Sequence, residues 1–334
     1  MKNVSLSKIL VIGSNSFSGA DFIDFLLEDV SHDVVGVSRS AQKKSIYLPY
    51  KRHKNARFKF YQLDLLKDME RIIELIDFFK PEYVINFAGQ IEVATSWRFP
   101  GDYVRANTLA VTDLVHTLKD RAFLKKYVHV STPEIYGTCQ GSVKENAPIN
   151  PCTPYAVFKA AADMMTSTYH KNYQFPVVTV RSTNVYGAHQ QLFRIIPRTI
   201  IYIKLGKKIP LHGGGKAVKS FIHIRDISRG EYAVMKSGKP GEIYHLSPDQ
   251  GITIKELVKL MCRKSGVSFE KVAEAIEERL GQDAAYTIDS SKARKEFSWN
   301  PLIGLDEGLE SVQQWIEKNW NIIQKESLEY AHKH

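Results

Sequence analysis

Short apolar runs recur along the first half of the chain, most of them followed by a longer stretch with helical spacing. The runs lie at Ile9–Ile12, Val34–Val37, Phe58–Leu63, Tyr83–Phe87, Tyr127–Val130 and Val177–Val180. Amphipathic segments such as Phe22–Leu27 and Met69–Phe79 fall between them. Strand–helix alternation of this kind predicts a parallel sheet covered on both faces. The runs are continuously apolar rather than alternating, as parallel strands buried on both faces must be. The expected fold class is α/β: a doubly wound parallel sheet with a smaller, mixed α/β C-terminal region.

After about Gly187 the pattern loosens. Gly213–Gly215 and the Ser-Pro-Asp-Gln stretch at 247–250 read as loops, and helical spacing returns at Ile254–Lys264 and Leu305–Lys318. The division expected is residues 1–187 for a dinucleotide-binding unit and 188–330 for a substrate-binding region, with strands exchanged between the two. The tail Lys325–His334 is polar, which predicts a frayed end.

The 334 residues are 43% hydrophobic and 25% charged, an ordinary globular balance. No apolar run is long enough to span a bilayer, and the N-terminus lacks a signal-peptide pattern, so membrane attachment is not expected. Three cysteines (Cys139, Cys152 and Cys262) without paired spacing argue against a disulfide framework or a metal site. A reducing cytoplasm fits. A net charge of +10 suits an anionic partner. The charge is dispersed and no nucleic-acid-binding motif accompanies it, so a nucleotide is expected and not a nucleic acid.

The first strand ends in Gly13-Ser-Asn-Ser16-Phe17-Ser-Gly19 and enters a helix. A small-residue turn at this position lets backbone approach a pyrophosphate, which then rests on the helix N-terminus. The central glycine of the usual pattern is serine here, so position in the fold carries the reading. After the second strand stands Val37-Ser38-Arg39-Ser40, with no carboxylate to hold a ribose 2′-hydroxyl. Arg39 suits a 2′-phosphate, so NADP is favoured and NAD remains open. An exposed arginine in a basic loop is the plain alternative.

Thr153 and Pro154 suit the N-cap and first position of a helix. Tyr155 and Lys159 then share one helix face. An ammonium beside a phenol favours the phenolate, and such a tyrosine can take a hydroxyl proton while hydride leaves for a nicotinamide. Alone, this spacing is equally that of a surface helical pair. A second motif sits at the end of the fifth strand: Ser131, Thr132, Pro133 and Glu134, where open α/β sheets bind ligands. Pro133 keeps Thr132 extended and projects Glu134 towards the cleft.

Together these motifs resemble the extended short-chain dehydrogenase/reductase family, and within it the nucleotide-sugar 4,6-dehydratases. The resemblance spans nearly the whole chain. It adds Asp64-Leu65, Asn86-Phe-Ala88-Gly-Gln90, Arg181-Ser-Thr-Asn184-Val-Tyr-Gly187, Arg194-Ile-Ile-Pro197 and Phe221-Ile-His-Ile-Arg-Asp226. It implies a Rossmann-type sheet and a tightly bound nicotinamide dinucleotide held by Gly13, Ser16, Phe17, Gly19, Ser38, Arg39, Asp64, Leu65, Ala88, Gln90, Asn107, Tyr155 and Lys159. The implied chemistry begins with Tyr155 as base at the sugar C4 hydroxyl, tuned by Lys159, with Thr132 on the C4 oxygen. Glu134 removes the C5 proton, water leaves across C5 and C6, and hydride returns to C6. Glu92, Asn184, Arg194, Lys219 and Arg279 are the implied contacts to a nucleotide-diphosphate sugar. Pairing into a homodimer through segments 102–120 and 154–173 is implied as well.

Two positions depart from the glucose-type pattern. Pro133 replaces an aspartate that would protonate the leaving oxygen, an aspartate that mannose-type enzymes also lack; the proton must then come from Glu134, a water or a nearby hydroxyl. Lys219 replaces a diphosphate-binding arginine, giving a point charge without bidentate geometry. The alternatives weighed are 4-epimerisation, C4 oxidation or decarboxylation of a uronic acid, and a non-catalytic nucleotide sensor. Glu134 counts against an epimerase, and the intact Thr132, Tyr155 and Lys159 against a sensor.

Overall fold

Seven strands form one parallel sheet: β1 (Ser7–Ile12), β2 (His32–Ser38), β3 (Phe58–Gln62), β4 (Tyr83–Asn86), β5 (Lys126–Val130), β6 (Val177–Ser182) and β7 (Ile243–Leu246), in the order β7-β6-β5-β4-β1-β2-β3. The structure, a computed structural model, describes residues 6–54, 57–139, 141–277 and 287–333. The strand order reverses between β1 and β4, and at that point a crevice opens above the strand ends. The expected α/β doubly wound fold is thus present.

Its stability follows from the pattern that predicted it. Successive β1 side chains point to opposite faces. Ile9 and Val11 pack with Val34, Ile85, Val128 and Val178 beneath helices α1 (Phe17–Leu26) and α6 (Ile224–Ser237), whose Phe22, Ile23, Ile227 and Val234 meet them. Leu10 and Ile12 face the other way and pack with Val35, Val84 and Tyr127 under α2 (Met69–Phe79), α3 (Ala110–Leu118) and α4 (Pro154–Tyr173). Each fully buried aliphatic side chain contributes about 1.5–3 kcal/mol of transfer free energy, so both layers hold the sheet firmly and fix where its ends lie.

The seventh strand and α6 come from beyond residue 187 and complete the sheet. A separate core gathers α5 (Ile195–Lys204), α7 (Ile254–Lys264) and α8 (Leu305–Lys318), around Ile196, Ile201, Leu257, Val258, Val312 and Ile316. The last two of these helices have the bounds their sequence spacing predicts. The first helix begins five residues earlier than its apolar run, because Ser16 caps it: its hydroxyl accepts the Gly19 N–H at 2.9 Å.

The tail differs from its expectation. Tyr330, His332 and Lys333 pack against the first unit instead of fraying. Gln90 Nε2 donates to the Lys333 carbonyl at 2.6 Å, and Tyr330 OH donates to Gln90 Oε1 at 3.3 Å. The His332 ring stacks on Phe99 with centroids 4.6 Å apart, and its Nε2 lies 2.8 Å from Asp102 Oδ2. Aromatic stacking and hydrogen bonds give this polar segment a docking site that composition does not reveal.

Candidate active site

The cofactor turn is built as its sequence requires. Gly13 has φ +82°, and a Cβ there would come within 2.7 Å of the Ala88 backbone nitrogen. A Cβ on Gly19 would lie 2.4 Å from the Gly13 carbonyl. The turn and helix α1 therefore approach each other more closely than side chains allow, and the helix N-terminus faces an open groove. Gly13, Ser16, Ser38, Arg39, Asp64, Leu65, Ala88 and Gln90 line that groove, which has a volume of about 290 Å³. The residues suit a dinucleotide: a helix N-terminus for the pyrophosphate and cations beside the second strand. Asn15 holds the floor by donating from Nδ2 to the carbonyls of Ser40 and Ala41 at 2.7 and 2.9 Å.

Two residues of the expected cofactor set turn inward. The Ser38 hydroxyl accepts the Asn15 N–H at 2.9 Å. Asn107, 1% exposed, clamps the backbone of Gln90, accepting its N–H at 2.7 Å and donating to its carbonyl at 2.9 Å. Asn107 thus shapes the loop from behind and does not line the groove.

A second cavity of about 770 Å³ continues from the first and shares Ser16, Ala88, Gln90 and Tyr330 with it. Its walls bring together Phe17, Glu92, Thr132, Glu134, Tyr155, Lys159, Asn184, Arg194 and Lys219, residues up to 202 positions apart in sequence. Arg279 lies outside the described residues. Thr132 is extended, with φ −145° and ψ 146°, and caps the turn that carries Glu134. The Thr153 hydroxyl accepts the Ala156 N–H at 3.2 Å and starts α4, placing Tyr155 and Lys159 in its first two turns. Arg194 pairs with Glu92 at 3.5 Å across the cavity mouth.

The electrostatics differ from the sequence expectation in one respect. The Tyr155 phenol is pushed up, not down: burial dominates, Glu134 adds to it, and the Thr132 hydrogen bond and Arg194 oppose it. Lys159 does not spend its ammonium on the phenol. Its Nζ donates to the Val130 carbonyl at 2.7 Å, and burial brings its pKa down to about 8. Both groups are desolvated, and that alone shifts each towards its neutral form.

The arrangement has counterparts. Residues 10–312 match the family model described as GDP-mannose 4,6 dehydratase. The chain belongs to this family. A dTDP-glucose 4,6-dehydratase from Streptomyces antibioticus is 32% identical over 248 residues, 73% of each chain. A dTDP-glucose 4,6-dehydratase from Streptomyces venezuelae, solved with NAD and TYD bound, superposes with a TM-score of 0.86 at 27% identity, covering 94% of this chain and 98% of that one. A UDP-glucuronic acid 4-epimerase from Bacillus cereus, solved with UDP-glucuronic acid and NAD, gives a TM-score of 0.86 at 27% identity over 93% and 99%.

Sequence motifs missed part of the site. Lys43, Gln191, Phe193 and the tail residues Tyr330, Ala331 and Lys333 also line the groove. Lys43 and the tail reach it from loops, where no periodicity or spacing marks them. Asp163 was also missed, although it continues the four-residue spacing of Tyr155 and Lys159.

The turn geometry carries a direct test. Gly13→Ala introduces strain at positive φ and a clash with the Ala88 backbone. It should weaken dinucleotide binding at least tenfold, read by fluorescence titration, while Gly101→Ala, with open space around its Cβ, should leave binding unchanged.

Proposed function

We propose that this chain is a nucleotide-sugar 4,6-dehydratase, converting an NDP-hexose to its 4-keto-6-deoxy product with a tightly held nicotinamide dinucleotide. The observation that carries the reading is Glu134. It is half-buried in the same cavity as Thr132, Tyr155 and Lys159 and close enough for its charge to raise the Tyr155 pKa. A carboxylate beside an oxidising tyrosine is superfluous for epimerisation and is what an elimination needs.

The dinucleotide, when bound, supplies a hydride acceptor, the same hydride later as donor, and a cationic ring. Tyr155 takes the C4 hydroxyl proton, and Thr132, its hydrogen-bond partner, shares the C4 oxygen. The Lys159 ammonium, fixed on the Val130 carbonyl, adds positive charge beneath that oxygen. The resulting ketone acidifies C5–H, and Glu134 accepts this proton. Pro133 cannot donate, so Glu134, now protonated, is also the group that returns a proton to the departing C6 oxygen, and water leaves. Glu92, Asn184, Arg194 and Lys219 line the part of the cavity that receives the nucleotide diphosphate.

The test is to incubate the protein with UDP-, dTDP-, CDP- and GDP-hexoses and weigh the products. Loss of one water without net cofactor reduction is expected. Unchanged mass with inverted C4, or loss of carbon dioxide from a uronate, would replace the reading. Glu134→Gln should oxidise C4 and stall, leaving reduced cofactor detectable at 340 nm, roughly 10²-fold or more below wild type in product formation.

The cofactor preference rests on the end of β2. Arg39 and Lys43 line the groove there and no acid follows the strand, which supports NADP. The solved relatives named above hold NAD, so the preference has no support from them. Titration with both dinucleotides decides: NADP is expected to bind more tightly, and equal or weaker binding removes the 2′-phosphate role of Arg39.

A homodimer completes the reading. Leu109, Val157 and Met164 stand exposed by 49, 44 and 62% on the segments expected to pair. An aliphatic stripe of this kind suits a helix-to-helix contact. Met164→Asp should shift the protein to monomer in sedimentation. Among the described residues no helix is long and apolar enough to cross a membrane.

A further inference from the structure

Behind the catalytic pair lies a polar network that the reaction scheme above does not use. Asp163, 7% exposed, follows Lys159 by one turn of α4. Its Oδ2 accepts from the Ser131 hydroxyl at 2.8 Å and from Arg181 Nη2 and Nε at 2.8 and 3.2 Å. Its Oδ1 lies 3.1 Å from His129 Nε2. Arg181, on β6 and 2% exposed, also donates to the Tyr136 hydroxyl. Tyr136 OH in turn sits 2.8 Å from Nε2 of His245, on β7. One carboxylate therefore joins α4, β5, β6 and the turn after β5.

We propose that Asp163 is a positioning residue of the active site: it ties the strand end bearing Ser131 and Thr132 to the helix bearing Tyr155 and Lys159, and sets a fixed negative charge beneath Lys159. The proposal rests on Tyr155 and Lys159 being the oxidation pair. Two physical arguments support it. Ser131 immediately precedes Thr132, so the Ser131–Asp163 hydrogen bond sets the distance between the threonine hydroxyl and the tyrosine that shares its proton. Lys159, desolvated, loses its proton near pH 8, and the Asp163 charge works against that loss.

The groups facing Asp163 are Lys159 and Tyr155 from its own helix, His129 from β5, Tyr136 from the turn after β5 and Arg181 from β6. Burial lowers the pKa of His129 and so favours its neutral form. Asp163 is held well below the usual carboxylate range by His129, Arg181 and Lys159. It is therefore ionised throughout the working pH range. Removing its charge leaves the burial of Lys159 unopposed by Asp163. The ammonium is then lost at lower pH.

Two variants test this. Asp163→Asn keeps the shape and removes the charge. Ser131→Ala cuts the tie to the strand end and leaves the Asp163–Arg181 pair in place, so no buried charge is orphaned. The Lys159 titration, read from the Cε resonance of labelled lysine, should fall by about one pH unit or more in Asp163→Asn. In Ser131→Ala, kcat should fall about tenfold with KM within twofold and the melting temperature nearly unchanged. A folded Asp163→Asn with the wild-type lysine midpoint overturns the charge role. Ser131→Ala with wild-type kcat overturns the positioning role, and decides it alone if Asp163→Asn does not fold. The lysine titration needs no substrate, so it judges this proposal even where every sugar nucleotide tested is refused, which would count against the dehydratase reading only.

Discussion

The parallel register of the central sheet is the constraint from which the site follows. Because β1, β2, β4, β5 and β6 all run the same way, their carboxyl ends meet along one edge, and the reversal of strand order between β1 and β4 leaves a crevice there. The Gly13 turn, the Ser38–Arg39 end of β2, the Ala88–Gln90 loop and the Ser131–Glu134 turn are successive strand ends. Nothing else brings a phosphate-binding turn and a carboxylate more than a hundred residues later into one cavity. The apolar layers on both faces keep that edge in place, so the geometry of the chemistry rests on the burial of Ile9, Val11, Leu10 and Ile12.

The price of this placement is desolvation. Tyr155 and Lys159 are each pushed towards their neutral forms by burial. Side chains that the fold brings up oppose this: Thr132 and Arg194 at the phenol, and Asp163 at the lysine, whose Nζ also rests on the Val130 carbonyl. A pair read from sequence as ammonium tuning phenol is, in the structure, two desolvated groups each stabilised by other partners. The lysine's influence on the phenol is therefore exerted through a shared environment and not through a direct ion pair in the resting protein.

How much of this was legible in the sequence differs by kind of signal. Strands β1, β2, β4, β5 and β6 announced themselves, since a strand buried on both faces leaves a mostly apolar run, whereas β3, at the sheet edge, has no fully buried residue. Helices α7 and α8 announced themselves too, with their one-sided spacing. The capped start of α4 was equally plain from Thr153 and Pro154. The beginning of α1 was not, because its first turn, Phe17-Ser18-Gly19-Ala20, is mostly small residues that carry no apolar periodicity. Asn107 entered as a cofactor contact only through the family resemblance. Only the fold shows both ends of its amide committed to Gln90. The tail was unreadable: stacking of His332 on Phe99 is a long-range event without periodicity.

Position 133 shows how the reading of function depends on these details. A proline there removes a proton donor, yet it also fixes Thr132 as extended and starts the tight turn that carries Glu134. The same residue that deprives the elimination of one acid therefore aims its base. Once Glu134 has taken the C5 proton, a group so placed can give it back to an oxygen one carbon away. Elimination through one carboxylate needs C5–H and the C6 oxygen on the same side of the sugar, within reach of Glu134. The fixed backbone at Thr132 and Pro133 leaves Glu134 only its own side-chain torsions with which to reach both atoms.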